Sequence, residues 1–461
     1  MEIKRKHIAV AVINAMAVMA VSGAAYAQSS EPQKVERVEI TGSAIKRIES
    51  ETALPIMVMT KKDIERTGAT SVTELIQKLP SMQGFTEAST SVGGGGGGLS
   101  SASLRGLGSQ RTLVLLNGRR MADYAGQTLT GAGQGIDLNL LPLSSIERVE
   151  ILTDGASTLY GTDAIAGVVN FITKSTYTGI DVAASYFSPQ KSGSKEMTIS
   201  ATAGFGDLQK DGYNVLLALT HNDREQLRAD QRDFSRTGII SFQHNGQTYD
   251  FFNGSSRSIP GNIIPTSERD AEALGARNPY FMVNGKCPDR HVAIGKVCYF
   301  DYASTLEIYP EQTRTSGMAN FTKRLNANHT LFGELLYSES KLVSRIAAPP
   351  VDIPIATSSP SYSVPASLGY QDNVTVRWRM WDAANRTTQD VGKATHFAFG
   401  SKGNMAGWDY NAALTHSQNK WTETYVAGWL KSNELLAALT AGTLNPFVEP
   451  GKQSAAGLAT I

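Results

Sequence analysis

The chain has 461 residues, with 43 Lys plus Arg against 42 Asp plus Glu for a formal charge of +1, 18% charged residues overall, and 43 Gly, 16 Tyr and 15 Phe. That length leaves room for two or more domains, and a near-neutral balance gives no electrostatic reason to bind nucleic acid. The one apolar run of membrane interest is at the N-terminus, residues 8–21, which excludes helical spans downstream. Lys4, Arg5 and Lys6 precede this run and Ala25-Tyr26-Ala27 follows it. The order of basic region, apolar region and small-residue cleavage site predicts a secretory signal peptide, residues 1–27, cut after Ala27. The run is short for an uncleaved anchor. Its removal takes Glu2 and the three basic residues with it and moves the formal charge from +1 to −1. An exported chain without helical spans is periplasmic, extracellular, or a β-barrel in the outer membrane.

Residues 28–34 are polar. Val35, Glu36, Arg37, Val38, Glu39 and Ile40 then alternate apolar with charged side chains up to Gly42, a strand too short to stand alone. Residues 53–60 are strand-like. Thr60 with Asp63 signals a helix that stops at Gly68, and Ser71 with Glu74 caps a second, which carries Leu75, Ile76 and Leu79 and is ended by Pro80. No catalytic group stands among them. The six glycines 93–98, inside the polar stretch 84–103, cannot form a core element. No Gly-Lys-Ser/Thr follows them, so a P-loop is unsupported. Gly106-Leu107-Gly108 runs into Ser109-Gln110-Arg111 where a dinucleotide fingerprint needs glycine. After Leu104-Arg105-Gly106, residues 112–116 and 119–121 flank Asn117-Gly118, a strong hairpin signal. Residues 146–174 read as two strands, Ile146–Leu152 and 166–173. They are separated by a turn with Gly155 and Gly161 that holds one helical turn, 156–160. The first strand is expected to be half exposed and the second, nearly continuously apolar, buried on both faces.

The phrases LVLLNGRRM, IDLNLLPLSSIERVEI and IERVEILTDGASTLYGTDAIAGVVNFITK make the run from Val35 to about Lys174 resemble the plug domain of TonB-dependent outer-membrane receptors. The resemblance marks Arg105, Gly106, Asn117, Gly118, Glu147, Arg148, Glu150, Gly155, Tyr160, Gly161, Gly167 and Asn170 as the plug signature. It makes Val35–Ile40 the TonB box, an extended segment that adds to a sheet edge of the periplasmic domain of TonB; the rival is an ordinary first strand of the plug. It places 84–103 and 122–135 as loops on the ligand side. No space for a folded domain lies between signal peptide and box, which disfavours a sigma-factor signalling role. Arg105, Glu147, Arg148 and Glu150 stand as charges among apolar residues, either paired with the lumen wall or on a solvated face. Thr153-Asp154-Gly155 replaces the Arg-Gly-Pro of many siderophore receptors, which weakens a ferric-siderophore assignment relative to glycans, peptides or cobalamin.

Beyond Gly179 amphipathic strands of about ten residues recur, at Gly179–Phe187, 197–205, 213–220, 331–337, 391–399 and 408–416. A soluble β-sandwich shares this alternation. Short turns alternating with long loops such as 224–302, and aromatic residues at strand ends (Tyr186, Phe187, Phe205, Tyr213, Trp408, Trp421), favour a transmembrane barrel. Cys287 and Cys298, in an exported chain, predict a disulfide; a metal pair is the rival, with only His291 nearby. None of the seven histidines forms an i, i+4 pair, and His221, His396 and His416 are expected to face the lumen or an interfacial girdle. No enzyme, metal or cofactor is predicted.

The expected fold is therefore a small mixed α/β plug (51–175, after a 28–50 leader) followed by a transmembrane antiparallel β-barrel (176–461). A barrel that encloses a plug needs about 22 strands. The residues after 179 supply about eight to ten, so the expectation is a piece lacking the C-terminal half. The resemblance implies energised uptake across the outer membrane, whose lipid surrounds the barrel, of a scarce small solute: a glycan, a peptide, cobalamin or an iron chelate. A non-energised barrel for binding or adhesion is the alternative.

Overall fold

A computed structural model describes residues 56–84, 97–126, 135–153 and 156–461. The predicted signal peptide, the alternating segment Val35–Ile40, and Gly155 lie outside the described residues.

The first part of the fold is built by strong local signals. β1 (Ile56–Thr60) runs directly into α1 (Lys61–Thr67). Thr60 Oγ1 accepts from the amide of Asp63, and the Asp63 carboxylate accepts from the amide of Thr60 at 3.1 Å. This reciprocal cap satisfies two otherwise orphaned donors. Gly68, at φ 64°, ends the helix in the left-handed region that glycine adopts without strain. α2 (Val72–Gln77) starts from Ser71, whose hydroxyl accepts from Glu74 N at 3.1 Å, and buries Val72, Leu75 and Ile76.

Four further strands follow: β2 (Thr112–Leu116), β3 (Arg119–Arg120), β4 (Ile146–Leu152) and β5 (Gly167–Thr173), with the single-turn α3 (Ser157–Tyr160) between the last two. They assemble with β1 in the order β1-β4-β5-β2-β3. β2 and β5 run parallel and the other pairs antiparallel. The central strands β2 and β5 are buried almost throughout, which is why both read as unbroken apolar runs. β4 is more buried than its alternation implies: only Glu147 is exposed and Arg148 half-buried.

The second part is a seven-stranded antiparallel wall: β6 (Gly179–Phe187), β7 (Glu196–Phe205), β8 (Tyr213–Arg224), then, after intervening elements, β16 (Glu311–Arg324), β17 (His329–Ile346), β20 (Arg386–Met405) and β21 (Trp408–Ala427). Its order is β21-β20-β17-β16-β8-β7-β6, an open sheet whose two outermost strands have one neighbour each. One face carries Ile180, Val182, Ile199, Leu217, Leu219, Leu335, Tyr337, Phe397, Phe399 and Leu414, all exposed. The other packs Ala218, Met318, Leu336 and Ala394 into a single core with α2, β2, β4 and β5. A sheet that is apolar on its free face and covered by a small domain on the other has the arrangement of a barrel wall around a plug.

Three sequence expectations change here. The strand Glu311–Arg324 was not anticipated, because its alternation of Thr, Ser, Asn and Met carries little hydrophobic contrast. The segments expected at 331–337, 391–399 and 408–416 are parts of strands of 18, 20 and 20 residues, the last of them the opening half of its strand; a bilayer needs only about 9–11 residues per strand, and the remainders extend past it. Residues 224–302 are not a bare loop but hold β9 (Leu227–Arg228), β10 (Ile239–His244), β11 (Gln247–Phe252), β12 (Asn262–Pro265), α4 (Glu268–Ala273), α5 (Pro279–Asn284), β13 (His291–Ile294) and β14 (Val297–Phe300).

With β15 (Glu307–Tyr309), β18 (Pro350–Ile355), α6 (Ser363–Ser367), β19 (Val374–Arg379), α7 (Ser432–Thr440) and α8 (Ala455–Leu458), the long connections form a layer with a core of its own, which includes Ile263, Ile353, Val376, Trp378, Leu439 and Leu444. Cys287 and Cys298 are disulfide-bonded there, their Cα atoms 5.6 Å apart, tying the segment between α5 and β13 to β14. Short turns at 206–212, 325–328 and 406–407 join the opposite ends of the wall strands. Since outer-membrane barrels keep short turns on the periplasmic side, the folded layer faces outward.

Candidate functional site: the seam between plug and wall

The signature residues form the interior of the plug rather than a reactive centre. Asn117, at φ 49°, and Gly118, at φ 76°, make the left-handed pair that a tight hairpin requires. Gly118 N donates to Asn170 Oδ1 at 2.9 Å, and Asn117 Oδ1 accepts from Thr173 N at 2.9 Å, so two asparagines staple the hairpin to β5. Gly167, at φ 131°, passes so close to β4 that a Cβ would collide with the Leu152 carbonyl and the Leu104 side chain. Arg105 and Gly106 turn the chain at φ 53° and 71°, and Arg105 Nη2 donates to Ala166 O at 3.1 Å. Tyr160 ends α3, and Gly161 follows at φ 96°. Arg120 forms a two-pronged ion pair with Asp163, tying β3 to that turn.

Of the four charges considered as wall contacts, Arg105 bonds within the plug, Arg148 Nε donates to Glu150 Oε1 at 2.8 Å in the same strand, and Glu147 is exposed. The wall is engaged by other residues. Arg119 Nη1 donates to Glu334 Oε1 at 3.1 Å and Nη2 to Asn411 Oδ1 at 3.0 Å, while its guanidinium lies 4.2 Å from the Phe332 ring centre. Asn320 Nδ2 donates to Thr173 Oγ1 at 2.8 Å. Ala122 N and Ala125 N donate to Ser417 Oγ and Asn419 Oδ1 at 2.8 and 3.1 Å, so the strand leaving β3 climbs the inner face of β21. None of these residues stands out in the sequence: the polar ones are ordinary in their own neighbourhoods, and Ala122 and Ala125 bond through their backbone amides. Only the position of Arg119, directly after the Asn-Gly turn, hints at its place.

Higher in the seam Asn139 joins several segments. Its Oδ1 accepts from Thr73 of α2 and from Arg314 of the wall, and its Nδ2 donates to Gly98 O at 3.2 Å and to Asp137 Oδ1 at 2.9 Å. Asp137 also accepts from Ser100 N at 3.0 Å. Burial pushes its carboxyl up to about 6, against the pull of these hydrogen bonds and of Arg314. Arg314 passes the contact on to Asn222, which reaches Glu196 and Thr198. Gly97 and Gly98, the described end of the glycine run, lie against Asp390, Gln312 and Ser340 of the wall. Among the described residues no group of three His, Cys, Asp or Glu side chains is placed to hold a metal.

A mixed-sheet plug seated on one face of an amphipathic antiparallel wall is joined by a match in sequence: the first part of the chain carries a plug domain of the kind found in TonB-dependent receptors. The model of the TonB-dependent Receptor Plug Domain family matches residues 49–168. Among curated proteins, the vitamin B12 transporter BtuB of Vibrio cholerae serotype O1 is 33% identical over 201 residues, which span 43% of this chain and 30% of the relative. The match therefore spans under a third of that relative's length. Among solved structures, the ferric enterobactin receptor PfeA of Pseudomonas aeruginosa aligns with a TM-score of 0.41 at 13% identity, over 84% of this chain and 47% of that one. The ferric-catecholate import receptor Fiu of E. coli K12 aligns with a TM-score of 0.37 at 13% identity, over 83% and 52%.

Proposed function

We propose that this chain takes part in TonB-dependent, energy-coupled uptake of a scarce small solute across the outer membrane. The solute is held between the outward layer and the top of the plug, and TonB pulls on Val35–Ile40 to open the plug. The observation that carries this reading is the chemistry of the seam. Beside a small apolar contact at Ala218, Met318, Leu336 and Ala394, the described residues of the plug meet the wall through separate hydrogen bonds and one ion pair, at Arg119, Asn139, Thr173, Ala122 and Ala125. Each such bond is worth about 0.5–1.5 kcal/mol net, because water replaces it when it breaks. A plug held in this way can be displaced by modest work and can reseat. β1, the first described element of the plug, is an edge strand bonded only to β4 in the sheet, so tension from the N-terminal side meets it before the buried centre. Arg119–Glu334 and Asn320–Thr173 hold the opposite side of the plug.

The test is capture of the full chain, in detergent, by the periplasmic domain of TonB, with and without Val38→Pro. Proline removes a ladder donor and should abolish strand addition. Equal capture of both would leave a non-energised binding or adhesion barrel as the better reading. Growth of a deletion strain under iron, cobalamin and glycan limitation would then narrow the solute.

A further inference from the structure

The free apolar face of the wall is grooved. Gly317 of β16 stands opposite Leu219 of β8 and Tyr337 of β17, and Ala319 stands opposite Leu217 and Leu335. The two small residues make a floor and the four large ones, all exposed, make its sides. They bound a groove of about 390 Å³, which continues over β7. Gly317 is not held there by its backbone, since its φ is not positive. A Cβ on it would come no closer than 3.7 Å to a neighbour, the end of the Leu219 side chain. The space above this glycine is open, and a larger side chain would occupy it.

Away from the short turns the groove runs into charge. One step outward from Gly317, Thr315 faces Glu339, Glu339 faces Lys393, and Lys393 faces Lys420. Lys341 stands in the next row, between Thr313 and Val391. Alternate residues share a face, so all of these lie on the side of Leu335 and Tyr337. Tyr337 Oη donates to Glu339 Oε2 at 3.0 Å, and Lys393 Nζ lies 3.1 Å from the same oxygen, which makes groove and charges one surface. In these two rows, from β16 to β21, Glu339 is the one acid against three exposed lysines. Lys341 and Lys420 have no acidic partner among the described residues. Lysines in facing positions repel, and an anion between them would remove that cost. The level is where the apolar band ends, the depth of lipid head groups.

We propose that this surface binds one phosphate-bearing lipid of the surrounding membrane, with an acyl chain in the groove over Gly317 and Ala319 and the phosphate among Lys341, Lys393 and Lys420. Inside a bilayer an acyl chain is already away from water, so the groove selects by close packing rather than by hydrophobic burial. The ammonium groups add charge-assisted hydrogen bonds to phosphate oxygens, and the surplus of lysine over carboxylate favours an anionic head group. The inference rests on this face of the wall meeting a bilayer. It does not depend on TonB or on the transported solute.

The full chain, purified in uncharged detergent, is mixed with phosphatidic acid or with diacylglycerol of the same chains, and retained lipid is counted by native mass spectrometry. One phosphatidic acid per chain is expected, with at least tenfold less diacylglycerol. Gly317→Leu and Ala319→Leu, which fill the groove, should each lower retention of phosphatidic acid at least tenfold. Ala412→Leu, on the same face of β21 outside the groove, should leave it unchanged. Replacing Lys341, Lys393 and Lys420 together by Gln should abolish the preference for phosphate. Lys420→Gln alone breaks no ion pair and should weaken that preference at least threefold, which keeps the charge arm readable if the triple variant folds differently. Equal retention of the two lipids, uptake of many lipids without saturation at one, or the same result for Gly317→Leu and Ala412→Leu would overturn the site. Insertion of the chain into liposomes without selective retention would sink the lipid site and leave the bilayer reading standing.

Discussion

Gly167 shows what a single position can decide. Its φ of 131° and the adjacent Leu152 carbonyl leave no room for a Cβ, so Gly167→Ala must displace β4 from β5 inside the plug sheet. The expected result is a plug that fails to protect the β4–β5 amides from hydrogen exchange, whereas Gly118→Ala, where nothing lies within 4 Å, loses only about 1 kcal/mol of backbone preference. Glu334→Ala leaves the Arg119 guanidinium without its carboxylate. A charged hydrogen bond of this kind contributes about 1.5–3 kcal/mol, and the loss should appear as a lower urea midpoint for plug release. Asp137 gives a pH signature. Its carboxyl titrates near 6 in the folded chain against a reference of 3.8, so the folded state binds the extra proton and stability falls as pH rises from about 4 to about 6, levelling above that. Asp137→Asn should flatten this slope in urea titrations across that range. At this scale the sequence exposed the glycines, whose roles are local, and concealed Asn139 and Thr173, whose partners are far along the chain.

Elements were legible where a few adjacent residues determine them. Thr60 with Asp63, Ser71 with Glu74, and Asn117-Gly118 each complete their own hydrogen bonds, and each boundary falls where those residues place it. Replacing Ser71 with Ala should cost about 1 kcal/mol, read as faster exchange of the α2 amides with the wall unaffected. The elements that escaped are stabilised from a distance. β16 owes its existence to β8 and β17 on either side, and the outward layer to a core drawn from residues between Ile263 and Leu444. Cys287→Ser with Cys298→Ser tests that layer. A short-loop disulfide contributes about 2–4 kcal/mol, so the β13–β14 hairpin should become sensitive to protease while the wall keeps its resistance to unfolding in cold detergent.

The whole molecule turns on which solvent each surface meets. Leu219 on the wall and Ile240 on the β10–β11 hairpin are 54% and 57% exposed, indistinguishable as numbers. In a bilayer Leu219→Arg should cost about 2–4 kcal/mol near the midplane and lower the yield of folded protein in liposomes. Ile240→Arg, in water, should stay within about 0.5 kcal/mol. Equal effects would place the wall in water. Alternation along each strand announced the apolar face, yet nothing in it told bilayer from solvent; the plug packed on the other face does.

The parallel pairing of Thr112–Leu116 with Gly167–Phe171 also bears on how such a chain survives secretion. Neither half of that pair can find its mate until both have been delivered, and β2 meanwhile has only the two-residue β3 beside it, its other edge uncovered. A chaperone that holds that open edge until Gly167–Phe171 arrives should therefore raise the yield of folded protein.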